Sequence, residues 1–327
     1  MPLLKTKKAK GSEARLAKYG VFFVLPFLCV YAIFNLWPTL YTILLSFTNL
    51  QGFNTLGSPE TQFIGGANFA ALIKDPNFWG AVINTFIMWG FNFAPQLGIA
   101  LIFAVIFTDP GMNGLKGKNA FRAIFYLPNL LTAASVAILF RSLFAYPIGP
   151  VNQFFTKIGI QATTIRDGEV IKEGINFFRS VAWSRGIVSF IQWWMWCGQT
   201  LIMLMAGITS ISPSLYESAV VDGATQRQQT WYITLPLLRP MMLFLLVTSI
   251  IGGMQLFEIP FLLTDMRGGP DYKIRTMVLY MYNTAFQNKN RYGYASAIAM
   301  GVFVITMFFS ALVFFFMQDR SEPKTKK

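Results

Sequence analysis

Apolar residues in this chain fall in long runs, not in the narrow stripes of surface helices or the alternation of half-buried strands. A hydrocarbon core of about 30 Å needs roughly 20 apolar residues per helix. Runs of that kind occupy 19–47, 78–107, 121–144, 183–208, 238–263 and 294–317. The pattern predicts an all-α, polytopic membrane protein with about six transmembrane helices. Prolines interrupt several of them: Pro26 and Pro38 in the first, Pro95 in the second, Pro128 in the third and Pro260 in the fifth. Each removes a backbone hydrogen bond and kinks its helix. Membranes tolerate such kinks where neighbours or a cavity satisfy the freed carbonyl. Packing geometry accounts for most of these prolines; the functional reading is a set of kinked helices around a pathway that opens and closes.

An even number of spans returns the C-terminus to the side of the N-terminus. The expected division is a tail at 1–18, a membrane domain at 19–317 and a second tail at 318–327. Both tails are basic, with Lys5, Lys7, Lys8, Lys10, Arg15 and Lys18 at one end and Arg320, Lys324, Lys326 and Lys327 at the other. Positive charge flanking apolar runs marks the cytoplasmic side, so 209–237 becomes a cytoplasmic loop, as does 108–120, which carries Lys116 and Lys118 with Arg122 at its edge. The segments 48–77, 145–182 and 264–293 become external. These outer loops carry Arg166, Lys172, Lys273, Arg275 and Arg291, interleaved with Asp167, Glu169, Glu173, Asp265 and Asp271. The orientation therefore rests on the tails and the span count. No Ala-x-Ala-like site follows the first run, which reads as a retained span and not a cleaved signal. In 145–182, Val151, Phe154, Phe155 and Ile158 recur at helical spacing and predict a short amphipathic helix over the outer mouth. Asp167-Gly168, between Thr164-Ile165 and Val170-Ile171, predicts a small hairpin.

Composition sharpens the picture. The chain is 54% hydrophobic and 13% charged, about half the charged share of a soluble domain. Its net charge of +13 is concentrated at the tails without a groove of interleaved aromatic and basic residues, so nucleic-acid binding is not expected. Cys29 and Cys197 lie inside apolar runs and read as core residues. The chain has no histidine, which removes the commonest general base and metal ligand. No catalytic residue, metal site or cofactor is expected.

An ionisable side chain within a span costs roughly 2.5–3.5 kcal/mol on insertion scales and is a functional candidate. Glu258, with Gln255 three residues before it on the same expected helical face, is the clearest; Arg141 sits nearer a boundary and can snorkel. In the fourth span Gln192 and Gln199 share a face at seven-residue spacing. Trp193, Trp194 and Trp196 suit either sugar stacking or an interfacial belt, and at helical spacing cannot all share one face. Asn84 joins Gln192, Trp193, Trp194, Gln199, Gln255 and Glu258 as a candidate for a polar pathway.

The loop at 209–237 has its own grammar. Ser212-Pro213 suits a helix start, and Ser214 with Glu217 offers a competing capping box. Leu215, Ala219 and Val220 form one stripe, and Asp222-Gly223 supplies a stop. A free helix this short is marginal in water and needs a surface to dock against. Glu217-Ser218-Ala219, then Gly223, Ile233 and Leu235-Pro236, is similar to the EAA signature of binding-protein-dependent ABC importer permeases. Asp222-Gly223-Ala224 resembles the form found in their carbohydrate-importing branch. Ser218 stands where that family often has a second alanine, a small-for-small exchange. The resemblance extends over nearly the whole chain through Asn84-Thr85, Phe121-Arg122 with Leu127-Pro128, Leu263-Thr264 with Gly268-Gly269-Pro270, and the run from Tyr292 to Ala297.

What the resemblance implies is a type I ABC importer permease-like fold in a bacterial inner membrane, with both termini cytoplasmic. Such a subunit forms half of a translocation pathway for a sugar or oligosaccharide. It works with a second permease subunit as a heterodimer, two ATP-binding cassette ATPase subunits and an extracellular or periplasmic solute-binding protein. By the same resemblance Glu217, Ser218, Ala219, Asp222, Gly223, Ala224, Leu235 and Pro236 make the coupling contact with the ATPase. No P-loop is present: the nearest run ends in Gly117-Lys118-Asn119 and has Met112 where the first glycine belongs, so ATP is handled by another chain. Alternatives are another polar solute such as glycerol phosphate, or a stand-alone secondary transporter. A membrane-embedded enzyme would need a cluster of catalytic groups that the sequence does not offer.

Overall fold

The apolar runs form helices, and prolines govern where several of them bend. The computed structural model describes residues 6–108, 117–166, 169–264, 266–287 and 290–317. The basic side chains from Lys5 to Lys18, Lys116, Lys118, the Asp167-Gly168 turn, Asp265 and the C-terminal basic tail lie outside the described residues or side chains.

Helix α1 (Thr6–Tyr31) passes through a π turn (Ala32–Leu36) into α2 (Trp37–Ser46), which has Pro38 in its first turn. Proline has no N–H to donate to the carbonyl four residues back. The wider turn just before it shifts the ladder to i→i+5 bonding, as in the Trp37 N–H donating to the Ala32 carbonyl. Short α3 (Ala67–Lys74) leads into α4 (Pro76–Thr108), which runs through Pro95. The Asn68 amide donates to the Ser46 and Thr48 carbonyls at 2.9 and 2.8 Å and so closes the end of α2. Next come α5 (Lys118–Tyr126), a 3-10 turn at Leu127–Leu130, and α6 (Ala133–Leu143), N-capped by Thr132. The expected third span is thus not straight: Asn119–Leu130 and Ala133–Leu143 meet at 95°. Pro128 sits in the 3-10 turn and extended Leu131 and Thr132 complete the break.

The amphipathic helix expected around Val151 is α7 (Pro150–Lys157), with Val151 and Phe155 against the core while Phe154 and Ile158 remain exposed. The hairpin follows as β1 (Ala162–Arg166) and β2 (Glu169–Glu173), antiparallel, with Ile165 opposite Val170. Then α8 (Val181–Thr209) crosses, followed by α9 (Pro213–Val221), α10 (Gln226–Gln229), a second π turn (Thr230–Thr234) and α11 (Leu235–Leu237). That turn again precedes a proline, Pro236. The expected fifth span is two helices, α12 (Arg239–Met254) and α13 (Glu258–Leu263). Gln255 caps the first and Glu258 opens the second, so they do not share one continuous helical face as expected. Within the segment 264–293 lies a helix, α14 (Met277–Phe286), before α15 (Tyr292–Met317). Among the described residues five helical segments are long and apolar enough to cross a membrane, and the bent pair makes a sixth.

In lipid no hydrophobic force drives helix against helix; packing and interhelical hydrogen bonds of about 0.6–2 kcal/mol decide the arrangement. The most extensive pairing is α4 with α8. Three polar contacts lie along it: Asn84 accepts from Arg185, Ser189 donates to the Met88 carbonyl, and Gln96 donates to Thr200 at 2.7 Å. Their order shows that the two helices run parallel, so Thr108 and Thr209 end on one face of the bundle. α12 begins and α15 ends on that face too, joined where Arg239 donates to the Phe316 carbonyl. Three apolar clusters fill the bundle: α4–α6–α8–α13 around Ile191 and Ile259, α3–α4–α12–α14–α15 around Met254 and Ile298, and α4–α8–α12 around Leu204. The first span takes almost no part in them and turns Phe22, Phe23, Phe27 and Phe34 outward.

Candidate functional site

Between the two faces, a cavity of about 590 Å³ opens among α4, α8, α12 and α13. It lies halfway along α4 and α8, at Asn92–Gln96 and Gln192–Met203. Its apolar wall includes Phe93, Met195, Trp196, Phe244 and Phe257, and its polar groups include Asn92, Gln96, Gln192, Gln199, Gln255 and Glu258. Sequence spacing and geometry meet on Gln192 and Gln199, which face the cavity from successive turns of α8. Gln255 and Glu258 reach it from either side of the break in the fifth span, and both side chains are exposed. Gln96 is committed to Thr200, and Gln199 accepts from Asn129 at 3.3 Å. Asn92 Oδ1 is buried without a hydrogen-bond partner among the described residues.

The glycines of α12 shape this wall. A Cβ on Gly253 would stand 2.1 Å from Cδ1 of Trp89, whose indole donates to Ser249 at 3.0 Å and stacks on Phe93. A Cβ on Gly252, one residue earlier on the cavity wall, would meet nothing within 4 Å.

Three predicted pathway residues lie elsewhere. Trp193 and Trp194 face away from the cavity, into a small recess with Ile124, Phe125, Pro128 and Cys197. The ring on the cavity side is Trp196. Asn84 belongs to a polar hub at the end of the bundle where α4 and α8 begin. It donates to the Tyr272 and Arg275 carbonyls at 3.1 Å and accepts from Arg185. In the same hub Asp75 accepts from Tyr280, Tyr294 and the Asn77 N–H. Burial alone would raise the Asp75 carboxyl; the hydrogen bonds from Tyr280, Tyr294 and Asn77 outweigh it and hold the group below its usual value. Burial and donation to Asp75 push the Tyr280 hydroxyl up to about 12. Burial also lowers the Arg275 guanidinium, which sits over the Tyr272 and Tyr280 rings at 4.4 and 4.6 Å and donates to Asn77. These residues join α3–α4 to α14 and α15 and leave no amide of Asn84 for a solute.

On the opposite face, α9 projects with no buried residue. Leu215, Val220 and Val221 are exposed, Val221 by 88%. Of the two starts expected for it, the Ser212-Pro213 one is used, with Ser212 at the N-cap position and Pro213 in the first turn; the Ser212 hydroxyl makes no cap hydrogen bond and instead pairs with that of Ser214 at 2.9 Å. Its end is a Schellman stop. The Ala224 N–H reaches the Ala219 carbonyl at 2.8 Å and the Gly223 N–H the Val220 carbonyl at 3.0 Å, with Gly223 at φ +77°. Glu217, Ser218, Asp222 and Gly223 are exposed around this stop, while Ala219 and Ala224 are half-buried; Leu235 and exposed Pro236 begin the return to the bundle.

Two supports of α9 went unread in the sequence. Thr225 and Gln228 form a reciprocal capping box on α10, a T-x-x-Q pattern legible in principle. The Tyr216 hydroxyl lies 3.0 Å from that of Thr234, which is buried in the second π turn. Residues that far apart in sequence leave no local signal.

Comparison with known proteins agrees with this layout. Residues 19–327 match the family described as binding-protein-dependent transport system inner membrane component. The lactose transport system permease protein LacF of Rhizobium radiobacter is 29% identical over 316 residues, covering 95% of this chain and 99% of that protein. The probable ABC transporter permease protein YurN of Bacillus subtilis (strain 168) is 30% identical over 301 residues, covering 92% and 96%. The multiple sugar-binding transport system permease protein MsmF of Streptococcus mutans serotype c is 28% identical over 302 residues, covering 90% and 93%. The fold is that of a chain in the bacterial alginate ABC transporter, crystallised in complex with alginate pentasaccharide-bound periplasmic protein: TM-score 0.75 at 24% identity, over 94% of this chain and 96% of that one. With a match that takes in every membrane helix, the chain belongs to the family of inner membrane components of binding-protein-dependent transport systems.

Proposed function

We propose that this chain forms one half of an ATP-driven import pathway for a sugar or oligosaccharide, and that it couples to its motor through α9. A second permease subunit supplies the other half of the pathway. Two ATPase subunits seat the helices α9 of the pair, and a solute-binding protein delivers the sugar to the far mouth, beside the Asp75 hub and the α7–hairpin cap. Both termini and α9 then lie in the cytoplasm. Closure of the ATPases draws the coupling helices together and rocks the packed bundles between outward- and inward-facing states, a rigid-body switch driven by differential binding of ATP to the two states.

The observation that carries this reading is the exposure of α9. Its exposed apolar residues, Leu215, Val220 and Val221, have nothing among the described residues to cover them, although a Schellman stop, a capping box and the Tyr216–Thr234 contact hold the loop in shape. The sugar assignment draws support from the lactose and multiple-sugar relatives and from the cavity. Its amides suit hydroxyl edges and its rings suit the C–H faces of a pyranose.

Gly223→Val tests the coupling. A β-branched residue at positive φ costs about 1–2 kcal/mol and opens the stop without touching the bundle. In the reconstituted complex, uptake should fall by at least tenfold while membrane insertion and the amount of variant chain stay normal. Full uptake by this variant, with normal recruitment of the ATPase, would remove α9 from the mechanism.

A further inference from the structure

We infer that the cavity is a charge filter: Glu258 admits uncharged saccharides and turns away anionic ones such as uronates and sugar phosphates. The inference rests on the sugar reading above and narrows it.

The lining carries a single carboxylate, Glu258, and among the described residues no lysine or arginine. Every other polar group in it is uncharged: an amide, a hydroxyl, the Trp196 indole or a backbone group. Asn92, Gln192 and Gln255 can pair with hydroxyls in either direction, because an amide both donates and accepts. Glu258 as a carboxylate only accepts, which suits a pair of neighbouring sugar hydroxyls and leaves an anion without a partner. Cations on the elements around the cavity are already engaged: Arg141 donates to the Leu262 carbonyl on α13. Arg185 is held by Asn84 and the Lys273 carbonyl, and Arg275 by Asn77 and two tyrosine rings.

Magnitude decides whether one charge suffices. Two like charges about 6 Å apart, at an effective dielectric of ~20, repel by the equivalent of about a hundredfold in affinity. One carboxylate therefore separates a neutral saccharide from its uronate counterpart even when every hydroxyl contact is the same. The fold alone does not impose this choice, since the transporter of similar fold imports an acidic polysaccharide. The filter is a property of the side chains at this cavity, with Glu258 as its specificity-determining residue.

The test uses the assembled, reconstituted complex without the binding protein, so that selectivity upstream does not intrude. The signal is the quench of tryptophan fluorescence that disappears in a Trp196→Phe complex, since Trp196 lines the cavity. The probes are a panel of neutral di- and trisaccharides and uronates of matched length. Neutral probes should bind about a hundredfold more tightly than uronates. The gap should narrow at least tenfold in Glu258→Gln, persist in Glu258→Asp, and shrink with added salt in the unmodified complex. The salt arm needs no substitution and reads the filter even where a variant folds poorly. Uronates binding the unmodified complex as tightly as neutral probes would overturn the inference and leave the sugar reading standing. A gap unchanged in Glu258→Gln and insensitive to salt would do the same. If neither kind of saccharide moved the Trp196 signal, the sugar reading would fall as well.

Discussion

Single residues show how narrowly the cavity is drawn. Gly252 and Gly253 are neighbours on α12, yet one faces open space and the other the Trp89 ring. Gly252→Phe should insert and melt like the parent, because leaving glycine within a helix gains about 0.5–1 kcal/mol, but it should fill the cavity and abolish uptake. Gly253→Ala should instead lower the yield of folded chain: its methyl meets an indole fixed by Ser249 and Phe93, and overpacking costs about 1–3 kcal/mol. Fluorescence-detected melting in detergent, run beside an uptake assay, separates the two; the same behaviour in both variants would mean that the wall is not as drawn. At this scale the sequence was partly legible. Gln192 and Gln199 followed from helical period, and the same arithmetic puts Trp196 on their face and turns Trp193 and Trp194 aside. Asn84 misled because a polar residue in an apolar run looks alike whether it faces a passage or, as here, satisfies the carbonyls of a distant loop.

Elements were legible where their signals were local. The amphipathic period gave α7, the flanking residues gave the hairpin, and Asp222-Gly223 gave the stop of α9. The breaks were harder to read. Pro128 does bend the third span, but the 95° angle also needs extended Leu131 and Thr132. Pro95 is carried inside α4 without ending it. α14 was hidden because its ten residues are too few to cross a membrane. It is held by remote partners instead: Thr276 caps it and donates to the Leu256 carbonyl, and its first N–H donates to Thr85. Asp75 joins α14 and α15 to the start of α4, which makes it a test of how these elements cohere. Asp75→Ala strands two largely buried tyrosine hydroxyls at about 1–3 kcal/mol each and should lower the melting temperature by several degrees. The carboxyl is depressed in the folded state, so its contribution is present above the unfolded carboxylate range near 4 and is lost as pH falls through the folded value. The parent and Asp75→Ala should therefore differ in melting temperature at pH 7 and converge below pH ~4. A constant difference across that range would exclude the hydrogen-bonded carboxylate as its source.

The whole molecule combines a bundle that is complete in itself with surfaces that are not. Its cavity lies midway between a tightly hydrogen-bonded end and an end from which α9 projects, the layout that the proposed drive through α9 requires. Composition and run length were enough to place the chain in a membrane. The cavity could not be read from them, because it arises where α4, α8, α12 and α13 meet across long sequence separations. The central claim, that α9 is covered by another subunit, has a direct measurement. In a Cys29→Ala, Cys197→Ala background, Val221→Cys should react readily with a water-soluble maleimide when the chain is purified alone, since that side chain is 88% exposed. In the assembled complex with its ATPase subunits the labelling rate should fall by at least tenfold. Equal rates in both would leave α9 facing open water and contradict the account.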